Sequence, residues 1–154
     1  MAEEVKSRAL VDPSWTAYPH TVLTLGEDSG VRIDLRAPVT TPDRERLIRL
    51  GIRPPFAVIT ACNPNGRIVD TVENSRRTAA LRSDLGLRGS PFMFAVGESP
   101  DGVHREPGIA VAMPLSAARR IAVAYGQSAL FWYDGHAFWL IGALVESVPT
   151  RLPL

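Results

Sequence analysis

The chain of 154 residues has one cysteine, Cys62. No internal disulfide can form, which fits a reducing compartment. It also has no apolar run of the roughly 18 residues needed to cross a membrane. The longest candidate, around 128–145, is interrupted by Asp134, Gly135, His136 and Gly142. The opening Met-Ala-Glu-Glu lacks the basic stretch and apolar core of a secretory leader, so the expected location is the cytoplasm. Neither sign of charge is in excess: 17 Lys and Arg stand against 16 Asp and Glu, a formal net charge of +1. That argues against a dedicated nucleic-acid surface, which usually carries a strong basic surplus. The three histidines, His20, His104 and His136, have no paired spacing, so no metal site is expected. There is no glycine-rich phosphate loop or dinucleotide fingerprint, and no cofactor is expected. Internal repeats, low-complexity tracts and linkers are absent as well.

What remains is an ordinary globular composition, 45% hydrophobic and 21% charged, at a length that suits one domain over residues 1–154. Residues 1–16 are polar, with a frayed helix expected at Glu3–Leu10, and the tail 149–154 reads as loose. Thr21–Leu25 and Val31–Leu35 alternate around a GEDSG turn, the pattern of a β-hairpin. Thr41-Pro42 opens a short helix that Gly51 ends. Phe56–Thr60 is apolar almost throughout, as a central strand buried on both faces should be. Asn63-Pro-Asn-Gly66 is a dense turn signal. A second helix runs over about 71–85, with Asp70 as N-cap, Glu73 at capping-box spacing and Gly86 at its end. Phe92–Val96 and Gly108–Met113 follow as strands. Ser116 caps a third helix over 117–125. Asp134-Gly135 between two apolar runs marks a final hairpin. The fold class is therefore α+β: a single mixed, largely antiparallel sheet in the order ββαβαββαββ, with about three helices packed on it, expected to cover one face.

The second helix carries the most informative pattern. At about 100° per residue, Asn74, Arg77, Thr78, Leu81 and Leu85 fall within one stripe. The two leucines should face the core, so Asn74 and Arg77 are aimed inward as well. Buried polar groups left unpaired cost a few kcal/mol, so these two need partners. One solution is a structural network: Arg77 paired with Glu106 or Glu73, and Asn74 holding the 61–67 loop. The other is a pocket in which Arg77 and the helix N-terminus receive a ligand, since helix N-termini attract anions.

Phe56-Ala-Val-Ile-Thr-Ala-Cys-Asn-Pro64, Glu73-Asn74-x-x-Arg77-x-x-x-Leu81, Glu106-Pro107 and Tyr125-Gly126-Gln127 occur in this order. Together with Ala17-Tyr18-x-x-Thr21, they resemble a bacterial family of uncharacterised proteins, domain of unknown function 3293, from about Tyr18 to Ile141. The resemblance implies no known activity. It implies a set of recurring polar positions: Thr60, Asn63, Glu73, Asn74, Arg77, Glu106 and Gln127. The chain departs from the family at Cys62, where an aromatic residue is usual, and near His104, where tryptophan is common.

These readings give a candidate ligand site made of Thr60, Asn63, Asn74, Arg77, Glu106 and Gln127, for a small polar or anionic molecule. Arg77 would hold the anion. Glu73 and Glu106 are the candidates for acid–base work. Cys62 with His104 is a weaker nucleophile–base pair. The alternative is a non-enzymatic interaction domain or homo-oligomer using the aromatic hairpin of Phe131, Trp132, Tyr133, Phe138 and Trp139. The sequence names no substrate and no reaction.

Overall fold

The computed structural model describes residues 11–27 and 30–154. The helix expected at Glu3–Leu10 and the middle of the GEDSG turn lie outside the described residues. A 3-10 segment at Trp15–His20 leads into β1 (Val22–Leu25) and β2 (Val31–Asp34). Then come α1 (Thr41–Arg49), β3 (Phe56–Thr60), a short 3-10 turn (Pro64–Gly66) and α2 (Thr71–Leu87). The chain continues through β4 (Phe92–Glu98), β5 (Arg105–Val111), α3 (Leu115–Ala124), β6 (Ala129–Tyr133), β7 (Phe138–Gly142) and β8 (Thr150–Arg151).

The eight strands form one sheet in the order β2-β1-β4-β5-β3-β6-β7-β8, and every pairing is antiparallel. The two middle strands are β5 and β3, the latter being the apolar Phe-Ala-Val-Ile-Thr run; β3 faces both sides of the sheet. Its alternating side chains supply two separate cores. Ala57 and Ile59 join Leu81 and Leu85 of α2 and Ala118, Ile121 and Ala122 of α3. Phe56 and Val58 face the other way, with Leu23, Ile33, Leu47, Tyr133, Phe138 and Leu140.

The helices therefore do not share one face. Leu47 of α1 is buried with Phe56 and Phe138, on the side of the sheet opposite α2 and α3. The reason is chain path. Helix α1 follows directly from β2 at the sheet edge and folds under it, whereas α2 links β3 to β4 and α3 links β5 to β6 across the middle of the sheet. Three element ends also moved. Thr40, one residue earlier than expected, caps α1 in a reciprocal box with Asp43. Helix α2 runs through Gly86, and the chain turns instead at Gly89, which has φ +67°. No side chain caps α3, whose N-cap is Pro114 rather than Ser116. Finally, residues 149–154 are not loose: Thr150 and Arg151 pair with β7, and Leu152 is buried in the core under α1.

Strand β5 begins earlier than its polar start suggested. It pairs with β4 along Arg105–Val111, but with β3 only from Gly108 onward. Pro107 has no N–H to offer a neighbour. Beyond it, β3 and β5 part, and the chain leaving β3 turns away at Ala61–Asn63. The candidate site lies at this parting.

Candidate functional site

Asn63 occupies the left-handed region at φ +50°, a conformation asparagine tolerates better than most residues. Its side chain sits in a fixed relay. The Asn63 Oδ1 accepts from the Val69 N–H at 3.1 Å and from the Asn74 Nδ2 at 3.0 Å. The Asn74 Oδ1 accepts the Asn63 backbone N–H at 2.8 Å. With its oxygen facing two donors, the Asn63 amide must turn Nδ2 the other way, where it donates to Glu106 Oε1 at 2.8 Å. The relay thus presents a donor to Glu106. His104 Nε2 lies 3.3 Å from the same oxygen. Glu106 Oε2 receives no hydrogen bond from the described residues, and the side chain is 22% exposed.

Arg77 plays a different part. Its Nε donates to the Ala61 carbonyl at 2.7 Å and its Nη2 to the Tyr125 carbonyl at 2.8 Å. Gln127 braces the same two loops, with Nε2 donating to the carbonyls of Cys62 and Tyr125 at 3.0 and 3.1 Å. The Asn65 N–H closes the joint on the Gly126 carbonyl at 2.7 Å. The inward stripe of α2 is as the periodicity required, with Thr78, Leu81 and Leu85 buried. Arg77, however, pairs with neither Glu106 nor Glu73. It joins the loop after β3 to the loop after α3.

Glu73 stands apart. Asp70 accepts its backbone N–H, but its own carboxylate pairs with Arg76 at 2.6 Å on the surface. Thr60 Oγ1 donates to the Pro107 carbonyl and accepts the Cys62 N–H, which shapes the strand exit. Cys62 is buried, and burial pushes its thiol up. Its sulfur approaches Thr78 Oγ1 and the Pro107 carbonyl, while His104 faces Glu106. The weaker candidate pair of Cys62 and His104 is therefore not assembled.

Glu106 opens onto a cavity of about 330 Å³ on the face of the sheet that bears α1. Its floor is apolar, with Leu23, Val58, Ala95, Phe131 and Leu140. Around it stand Asp12, Tyr18, Asn63, His104, Glu106 and Gln127. Asn74, Arg77 and Glu73 do not line it. Three carboxylates do: Asp12, Glu98 and Glu106; no lysine or arginine among the described residues does. Glu98 is neutralised by Arg32 at 3.0 Å.

The wall formed by the 3-10 segment was not legible as part of a site. Asp12 Oδ1 accepts the Ser14 N–H at 2.8 Å and Oδ2 accepts the Tyr18 hydroxyl at 2.6 Å. Although burial opposes ionisation, these donors together hold the Asp12 carboxyl below its usual range. Tyr18 is pushed up out of the ordinary phenol range, first by burial and then by Asp12. Its neutral form is favoured in the folded state, so its contribution to stability is present below about pH 10 and is lost as pH rises past it. Tyr18→Phe should therefore flatten the fall in unfolding free energy between about pH 10 and 11, the window just above the ordinary phenol value of 10.0. Urea titrations at several pH values read that slope, and an unchanged slope would refute the assignment. The one sequence signal for this wall was Ala17-Tyr18-x-x-Thr21.

All five hairpin aromatics are placed. Phe131 faces the cavity, Tyr133 and Phe138 are buried under α1, and Trp132 and Trp139 pair across the strands on the α2–α3 side. None is fully exposed.

The relay and the loop braces draw on residues 60, 63, 74, 77, 106 and 127, all inside one continuous stretch that a family model recognises: residues 59–130 match the family described as protein of unknown function (DUF3293). The chain resembles DUF3293 over that stretch. The DUF3293 segment is shorter than the range expected from the motifs; it begins within β3 and ends within β6. It includes the Asn74–Asn63–Glu106 relay and both loop braces, but not Asp12 or Tyr18. No curated protein and no solved structure matches the chain. Among the described residues, no group of three or more His, Cys, Asp or Glu side chains could hold a metal ion, and no helix is long and apolar enough to cross a membrane.

Proposed function

We propose that the chain binds a small molecule in the cavity beside β3, with Glu106 as its polar anchor. The observation that supports this is the Asn74–Asn63–Glu106 relay. It fixes one carboxylate oxygen at the edge of an apolar-floored cavity and leaves the other for a ligand. A volume of about 330 Å³ is at the small end of the range for ligand sites. An engineered cavity of roughly 150 Å³ already takes benzene. In a reaction on a bound molecule, Glu106 is the group positioned to take up a proton.

The sequence pointed to Arg77 and an anion. The geometry favours the opposite polarity, since Arg77 serves two carbonyls and the cavity wall is acidic. A thermal-shift screen should therefore include amines and amidines beside nucleotides, sugar phosphates, amino acids and dicarboxylates. A ligand at about 100 times its dissociation constant adds roughly 2.7 kcal/mol. For a domain this size that is a rise of about 5–10 °C. The expected result is a hit that disappears in Glu106→Ala while the unliganded melting temperature of that variant changes by less than about 2 °C. A hit that persists in Glu106→Ala would remove Glu106 as the anchor.

A further inference from the structure

We infer that the molecule bound in this cavity carries a cationic, hydrogen-bond-donating head, an ammonium or amidinium, on an apolar body. This rests on the reading of the cavity as a binding site and names the ligand class for it.

Two oxygens carry the inference. The first is Glu106 Oε2, on a carboxylate whose other oxygen already accepts from Asn63 and lies 3.3 Å from His104 Nε2. The second belongs to Gln127, which is only 6% exposed and lines the cavity. Both of its carbonyl partners, on Cys62 and Tyr125, are met by Nε2. That fixes the amide orientation, because a flipped amide would set oxygen against two carbonyl oxygens. The Gln127 Oε1 then accepts no hydrogen bond from the described residues. That oxygen is not fully enclosed by protein, and Gln127 lines the cavity, so a donor on a bound molecule can reach it. The two residues are held by adjacent peptide units, Gln127 through the Cys62 carbonyl and Glu106 through the Asn63 side chain, so both belong to the same end of the cavity.

The remaining wall agrees in sign. Asp12 is kept ionised by its donors, and no lysine or arginine among the described residues lines the cavity to receive an anion. A carboxylate ligand would meet two like charges in a partly desolvated space. An ammonium would meet one charged and one neutral acceptor, with its apolar body against Val58, Phe131 and Leu140.

Three probes that share one body and differ in the head test this: 2-phenylethylammonium, 2-phenylethanol and phenylacetate, titrated calorimetrically into the whole chain at neutral pH. The ammonium should bind about 10- to 100-fold more tightly than the alcohol, the size expected of a charge-assisted hydrogen bond. Phenylacetate should be the weakest. Glu106→Gln should bring the ammonium to the level of the alcohol. Ala129→Phe, which puts a ring into the cavity, should remove all three. An alcohol as tight as the ammonium, or a tighter carboxylate, would overturn the inference and leave the cavity as a binding site. Binding that survives Ala129→Phe, or no binding by any probe at millimolar concentration, would overturn the cavity reading as well. The order of the three probes on the unmodified chain needs no variant, so a misfolded variant would not blunt the test.

Discussion

Arg77→Ala should lower the unfolding free energy by about 3 kcal/mol. Hydrogen bonds from a charged donor contribute about 1.5–3 kcal/mol each, and this substitution removes two at once. It leaves the carbonyls of Ala61 and Tyr125 without the guanidinium that spans them. The two loops would remain joined only by Gln127 and by the Asn65 N–H. Urea denaturation followed by tryptophan fluorescence measures the loss. Arg77→Lys should recover part of it, because an ammonium reaches one carbonyl but cannot fork between two. A change below about 0.5 kcal/mol, typical of an uninvolved surface position, combined with loss of ligand binding, would return Arg77 to the role of an anion holder.

The second large effect is expected at Gly108. This residue lies between β3 and β4, opposite Thr60 on one side and Ala95 on the other. A Cβ there would fall within contact distance of the Ile59 carbonyl oxygen, which is backbone and cannot rotate away. Gly108→Ala must push β5 from β3 at the point where the two strands begin to pair. Overpacking costs about 1–3 kcal/mol, and each weakened ladder bond adds about 1 more. The sum is about 3–4 kcal/mol, or a fall of about 10 °C in the melting temperature. Differential scanning calorimetry gives both numbers. A fall of under 2 °C would mean that β3 and β5 separate there without penalty.

Local signals in the sequence carried most of the secondary structure. Phe56–Thr60 announced a central strand because all five residues are apolar or β-branched, and Asp134-Gly135 announced a hairpin because that pair suits its turn. The stripe on α2 was legible for the same reason: periodicity shows which residues point inward. It also required Asn74 and Arg77 to be satisfied, which they are. Periodicity does not identify the partner. Arg77 is met by carbonyls from positions 61 and 125, and a backbone acceptor leaves no trace in side-chain identity. The face taken by α1 was hidden too, since an amphipathic helix packs equally well on either side of a sheet whose central strand is apolar on both. Asp12 lies in the polar opening stretch, where no local pattern marks it. Its place in the cavity wall depends on the approach of Asn63, Glu106 and Gln127, which are distant in the chain. The polarity of the cavity followed from where Arg77 was not, and composition could not have indicated that.

The strand order also bears on how the chain comes together during synthesis. The partners of β3 are β5 and β6; β5 emerges only after α2 and β4, and β6 only after α3 as well. Until then, the most apolar strand in the molecule has two open edges. Pairings between distant segments form slowly, and an unpaired apolar edge invites association with other chains. The polar relay at the end of β3 cannot shield it early, because Glu106 arrives with β5. Helix α2 can, since it follows β3 directly and its leucines meet Ala57 and Ile59. Nascent β3 would thus be covered on one face by α2 well before either of its edges is closed.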